Sequence, residues 1–170
     1  NMDLLLDSGD GGGAGGSGGA PGGKPARRLA KLLAPLAAED DAVFLDCPPS
    51  VSLVSENVLH AADVIVIPLI PTTLSVRTLD QLSDFVGEFQ GRRPDLFAFF
   101  SMVDRRKKLH REITQTLSAQ RAEVAKTAIP SLSVIETMSV ERAPVAVFAP
   151  KSPAAAAYRD LWAEISSRGE

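Results

Sequence analysis

A chain of 170 residues, 45% hydrophobic and 23% charged, is long enough to bury one hydrophobic core and has a globular composition, which excludes fibrous and wholly disordered architectures. The net charge of −3 excludes a uniformly basic coat and leaves room only for local basic patches, while the single cysteine, Cys47, excludes an intramolecular disulfide and a tetrathiolate zinc site. No run of about eighteen apolar residues occurs, and positions 1–23 lack the cationic start and apolar middle of a secretory signal, so the expectation is a soluble protein of a reducing cytoplasm with no membrane contact.

In chain order, Met2 to Leu6 is a short apolar run with the length of a buried strand. The stretch GDGGGAGGSGGAPGG, from Gly9 to Gly23, follows; its composition maximises backbone entropy and predicts a flexible loop. The expected organisation is therefore a residual strand (1–8), a glycine-rich loop (9–23) and the body of the domain (24–170). Pro25 suits a first helical turn, and Leu29, Leu32, Leu33 and Leu36 share one helical face, with Pro35 kinking or ending that helix. AVFLD (Ala42 to Asp46) reads as a strand and Ser50 to His60 as a helix. Asp63 to Ile70 is a β-branched strand run, and Leu79, Leu82, Phe85, Val86 and Phe89 recur at helical spacing. A strand over 96–103, a helix over 108–120, a strand over 124–130 and a short helix around 134–138 come next. Ser152 as N-cap and Pro153 in the first turn open a last helix, whose buried stripe is Tyr158, Leu161, Trp162 and Ile165.

Strands that are apolar on both faces and separated by helices cannot be hairpins; they are crossover units of a parallel sheet covered on both sides. The expected class is α/β, a doubly wound and mostly parallel sheet flanked by helices. In such sheets ligands sit beyond the carboxyl ends of the strands, which directs the search to 46–50, 68–73, 101–107 and 130–133.

The first of these segments is DCPPS. An apolar run ending in Asp46 sets one carboxylate at a strand tip, where it either caps the following helix or holds a magnesium ion through water beside a triphosphate. Pro48 and Pro49 donate no backbone hydrogen bonds, so they stop the strand and stiffen the loop beside it. The string DCPPSVSLVSENVLHAADVIVIPLIPTTLSVRTLDQL resembles the Walker B region of ParA/MinD-type ATPases. The likeness continues through FFSMVDRRKKLHREI and AIPSLSVIETMSVERAPVAVFAPKSPAAAAYRDLWAEI, and so covers most of 26–165. It leans toward the ParA relatives of DNA partition, because no C-terminal amphipathic helix with a basic face is present. The resemblance implies a P-loop NTPase fold, ATP and Mg2+ as cofactors, and a homodimer in the intact protein. It further implies ATP-controlled, non-specific DNA binding on the nucleoid and a ParB-type activator. Carried over, Asp46 takes the magnesium-associated role and Pro48 and Pro49 the switch segment that reports the γ-phosphate, while Met102, Asp104 and Pro130 border the base.

That family carries a glycine-rich lysine loop that cradles phosphates. GGAPGGKP satisfies much of the G-x-x-x-x-G-K-[ST] spacing, but position 25 is proline, which lacks both the metal-binding hydroxyl and a backbone N–H, so the segment is not read as that loop. The resemblance therefore implies a C-terminal portion whose phosphate loop lies upstream, or a degenerate member, with hydrolysis belonging to the intact protein.

In DRRKKLHR, Arg105, Arg106, Lys107, Lys108 and Arg111 cluster at a helix start, where each cation opposes the macrodipole by about 0.3–1 kcal/mol. Either DNA phosphates or the nucleotide explain the cluster, or it is a solvated face. His60 and His110 are read as structural and Cys47 as a small buried packing residue. Two other functions remain open: an amide-forming or cyclising ligase of the cobyrinate or dethiobiotin synthase type, and a degenerate, non-enzymatic adaptor on DNA.

Overall fold

The computed structural model describes residues 28–47, 53–89 and 91–168. The expected strand at 2–6, the glycine-rich loop, the GGAPGGKP segment, and Pro48 and Pro49 lie outside the described residues.

Three strands, β1 (Val64–Leu69), β2 (Asp95–Val103) and β3 (Val124–Pro130), form one parallel sheet in the order β1-β2-β3. The first pairing runs in unbroken register from Val64 opposite Asp95 to Leu69 opposite Phe100. Two crossover helices, α3 (Thr73–Glu88) and α4 (Lys108–Gln120), join the strands. Alternation along the strands separates two cores. Leu69, Ala98, Phe100 and Val124 point to one face and pack with Leu79 of α3 and with Ile113 and Leu117 of α4. Phe97, Ala125 and Ile129 point to the other, against Leu161, Tyr158 and Ile165 of the last helix, α8 (Pro153–Ser166). Helices thus cover both faces of a parallel sheet, the α/β class expected, and the architecture is consistent with the P-loop NTPase fold that the resemblance implies. Phe97, Phe100, Leu79 and Ile129 are all essentially inaccessible to solvent; burying each such side chain contributes roughly 1.5–3 kcal/mol.

The caps follow from local chemistry. Thr72 accepts the backbone N–H of Ser75 at 3.2 Å and so starts α3, six residues ahead of the apolar recurrence that marks this helix in the sequence. Ser152 accepts the N–H of Ala155 at 3.1 Å and Pro153 occupies the first turn of α8, as the sequence predicts. Between β3 and α8 the chain forms three single turns, α5 (Ser133–Glu136), α6 (Met138–Glu141) and α7 (Val145–Phe148), where one short helix was expected. They enclose a satellite core of Val145, Ala154 and Ala155.

Among the described residues two helices precede the sheet, α1 (Arg28–Glu39) and α2 (Leu53–Ala61), and they pack on each other. Helix α1 runs through Pro35 to Glu39 rather than stopping at the proline. Its apolar face is only partly covered, with Leu32 and Leu36 exposed. The expected strand at 42–46 does not form: these residues pair with no strand among those described, and Val43, Phe44 and Leu45 are exposed. An apolar run without a hydrogen-bonding neighbour has no ladder to join, whatever its β propensity.

Candidate functional site

The carboxyl ends of β2 and β3 meet side by side. Val103 faces Pro130, and the Ser131 N–H donates to the Val103 carbonyl at 3.0 Å. Of the residues selected from the sequence, Met102, Asp104 and Pro130 are therefore brought together on two adjoining strand ends.

Met102 has φ 55°, in the left-handed region, which costs an L-residue with a side chain about 1–2 kcal/mol. The pairing with β3 shifts register between Phe100 and Val103 at the same point. Val103 consequently enters the core that already holds Ala98 and Phe100, and Met102 is left 55% exposed at the mouth of the sheet.

Asp104 organises the turn that follows. Its carboxylate accepts the Arg106 backbone N–H, Nε and Nη2, each at 3.0 Å. These hydrogen bonds from Arg106, aided by the nearby Arg106 and Lys107 charges, lower its pKa to about 2. The Asp104 backbone N–H donates to His110 Nδ1 at 3.1 Å. His110 is buried in the first turn of α4, while the N-cap residue Lys107 makes no side-chain cap bond. The imidazole thus reaches back from the third helical position as a capping-box side chain does, but to a donor three residues farther upstream. Its position in the first helical turn was the available sequence signal.

The basic cluster divides in two. Arg106 is held by Asp104, and Lys108 Nζ lies 3.5 Å from the Glu112 carboxylate one turn on. Arg105, Lys107 and Arg111 make no ion pair among the described residues. Arg111 Nη1 instead donates to the Arg105 carbonyl at 2.7 Å, which fixes its guanidinium against the turn. Beyond it, Arg105, Arg111 and Lys126 line a groove with Val103, Thr114, Gln115, Ser118 and Ala128, enclosing about 400 Å³. Lys126 projects from β3 and carried no sequence signal beyond its charge.

Asp46 is exposed, at the end of the unpaired segment. A single exposed carboxylate suits magnesium, which keeps several waters and takes one or two carboxylates alongside substrate phosphates. Among the described residues no group of three or more histidine, cysteine, aspartate or glutamate side chains could by itself hold a metal. Cys47 corrects the expectation of burial: it is exposed, with Sγ 3.7 Å from the Leu45 carbonyl, because the segment carrying it is not part of the sheet. Phe44 lies against Trp162 of α8, with ring centroids 6.0 Å apart and planes at 43°. Among the described residues no helix is long and apolar enough to cross a membrane.

Comparison with known proteins gives a match to a family described as an AAA domain over residues 22–98, a span that includes Asp46, Pro48 and Pro49. The chain is 30% identical over 134 residues to the sporulation initiation inhibitor protein Soj of Bacillus subtilis strain 168, covering 76% of this chain and 53% of that protein. It is 31% identical over 140 residues to the chromosome partitioning protein ParA of Myxococcus xanthus strain DK1622, covering 79% of this chain and 49% of that protein. The chain spans about half the length of the curated relatives it matches. With the parallel sheet, the strand-end cluster and these matches together, the chain is a member of the ParA/Soj-like family.

Proposed function

We propose that this chain is the base-binding and DNA-contacting part of a ParA-like partition ATPase. In the intact protein ATP and magnesium bind at the carboxyl ends of the strands. Asp46 holds a metal-bound water, and Pro48 and Pro49 form the segment that responds to the γ-phosphate. Met102 and Pro130 flank the base as apolar walls, and Asp104 fixes the turn between them and the cations. Magnesium supplies charge neutralisation on the phosphates; the residues of this chain orient the nucleotide and keep one of its edges dry. Arg105, Arg106, Lys107, Lys108 and Arg111 face the phosphates of non-specific DNA, with Arg106 and Lys108 tied to carboxylates and the other three offering their charge freely. ATP-controlled dimerisation, stimulation by a ParB-type partner and a cytoplasmic, nucleoid-associated location complete the reading.

The observation that carries it is the adjacency of the Met102, Asp104 and Pro130 strand ends to a turn in which Arg105 and Lys107 make no ion pair among the described residues, in a chain related to Soj and ParA. Fluorescence anisotropy with labelled DNA duplexes of unrelated sequence tests it. The expected result is sequence-independent binding whose logarithm falls linearly with log salt. Replacing Arg105 or Lys107 by Gln should each reduce the slope by about 0.9. Binding that is absent at low salt, or that is indifferent to both substitutions, would exclude the DNA role.

A further inference from the structure

The groove between α4 and β3 gathers cations from three separate places in the chain: Arg105 in the turn after β2, Arg111 on α4 and Lys126 on β3. No carboxylate lines it, and none of the three makes an ion pair among the described residues. Elsewhere, Arg92 is matched with Asp63 at 2.8 Å and Arg121 with Asp80 and Glu123, whereas the groove brings three cations into one lining with no carboxylate among them. Like charges drawn together cost free energy unless an anion joins them.

The lining restricts which anion. The hydroxyls of Thr114 and Ser118 already donate to main-chain carbonyls, Thr114 to His110 at 2.8 Å and Ser118 to Ala125 at 2.9 Å. Donors to a ligand are therefore the three cations and the Gln115 amide, while Val103 and Ala128 form an apolar floor. Arg111, held by the Arg105 carbonyl, is set before a ligand arrives, which lowers the ordering cost of binding. Several charged donors converging from different directions match a tetrahedral phosphate better than a planar carboxylate, which a single arginine fork would satisfy.

We propose that this groove is a phosphate seat, separate from the base-binding strand ends, in which Lys126 and Arg111 grip one phosphate group from opposite walls and Arg105 closes the top. Its occupant is either a phosphate of a DNA backbone or that of a free phosphate ester. The first case rests on the DNA reading above; the seat itself does not.

Amide NMR shifts of the full chain, titrated with inorganic phosphate against chloride at constant ionic strength, provide the test. Saturable shifts are expected at Thr114, Gln115 and Lys126. Lys126→Gln and Arg111→Gln should each weaken the phosphate affinity roughly tenfold, whereas Arg92→Gln, outside the groove, should leave it unchanged. A parallel titration with a short duplex identifies the source. Shifts at the same amides, reversed by phosphate, assign the seat to DNA; phosphate shifts without duplex shifts assign it to small esters. Absence of saturable phosphate shifts at these amides, or affinity unaltered in both variants, overturns the seat. If the duplex still binds through Arg105 and Lys107 in that event, the DNA reading survives alone.

Discussion

Asp104 shows how one side chain can serve geometry and charge together. It lies at a strand end selected for a role beside the base, yet three of its carboxylate contacts go to Arg106, and its backbone N–H is held by His110. With its pKa lowered to about 2 from the ordinary 3.8, the ionised carboxylate favours the folded state. That contribution is complete above the unfolded value and fades as the pH falls through about 2. Asp104→Asn should therefore be less stable than the parent chain at pH 6, and the gap should close as urea unfolding is repeated toward pH 2. A gap of constant size would show that the charge is not involved. His110 illustrates a limit of reading residue types alone. A histidine within a basic string looks incidental until the helix start is located, because its partner is a main-chain N–H that sequence cannot display.

At the scale of elements, the outer edge of β3 is guarded by α8. Glu164 accepts the N–H groups of Lys126 at 2.9 Å and Thr127 at 2.7 Å. Partial burial pushes its pKa up, but the hydrogen bonds from Thr127 and Lys126, with the Lys126 charge, outweigh it and hold the carboxyl below its usual range. Its stabilising effect is accordingly lost as acid protonates it. Glu164→Ala should cost about 1–3 kcal/mol in chemical denaturation and promote self-association, since two edge donors lose their acceptor. An unchanged midpoint and a monomeric variant would show that water replaces the carboxylate fully. The sheet elements were legible because they obey local rules. The sequence reading places β3 and α4 at the limits observed, since apolar runs and a polar helix face bound them clearly. The segment at 42–46 was misread because β propensity describes a residue's fitness for a ladder and not whether a neighbour is there to build one. The turns α5 to α7 are too short to show a helical period.

For the molecule as a whole, the chemistry is distributed unevenly. The described residues provide a strand-end cluster, a cationic turn and the exposed Asp46 carboxylate, and their relatives Soj and ParA are about twice the length of the matched span. Phosphoryl transfer rests on positioning and on charge stabilisation around the phosphates, and a lone carboxylate supplies little of either. This chain by itself is expected to release phosphate from ATP no faster than its Asp46→Ala variant. Magnesium-dependent turnover that disappears in that variant would contradict the expectation. The family was legible from the run around Asp46 and its two prolines; the cationic groove was not, because Lys126 and Arg111 are fifteen positions apart and only the packing of α4 on β3 brings them into one lining.

Trp162 is the single tryptophan of the chain, and its ring meets Phe44, two positions before Asp46. The indole is 48% exposed, so its emission is sensitive to whether that phenyl group stays in place. Any event that draws 42–47 into a ladder, such as the arrival of a neighbouring strand or a nucleotide's metal, must pull Phe44 away and should alter the emission, with Phe44→Ala reproducing the altered spectrum beforehand. The protein thereby carries a native optical gauge of the conformation next to Asp46, readable without any label.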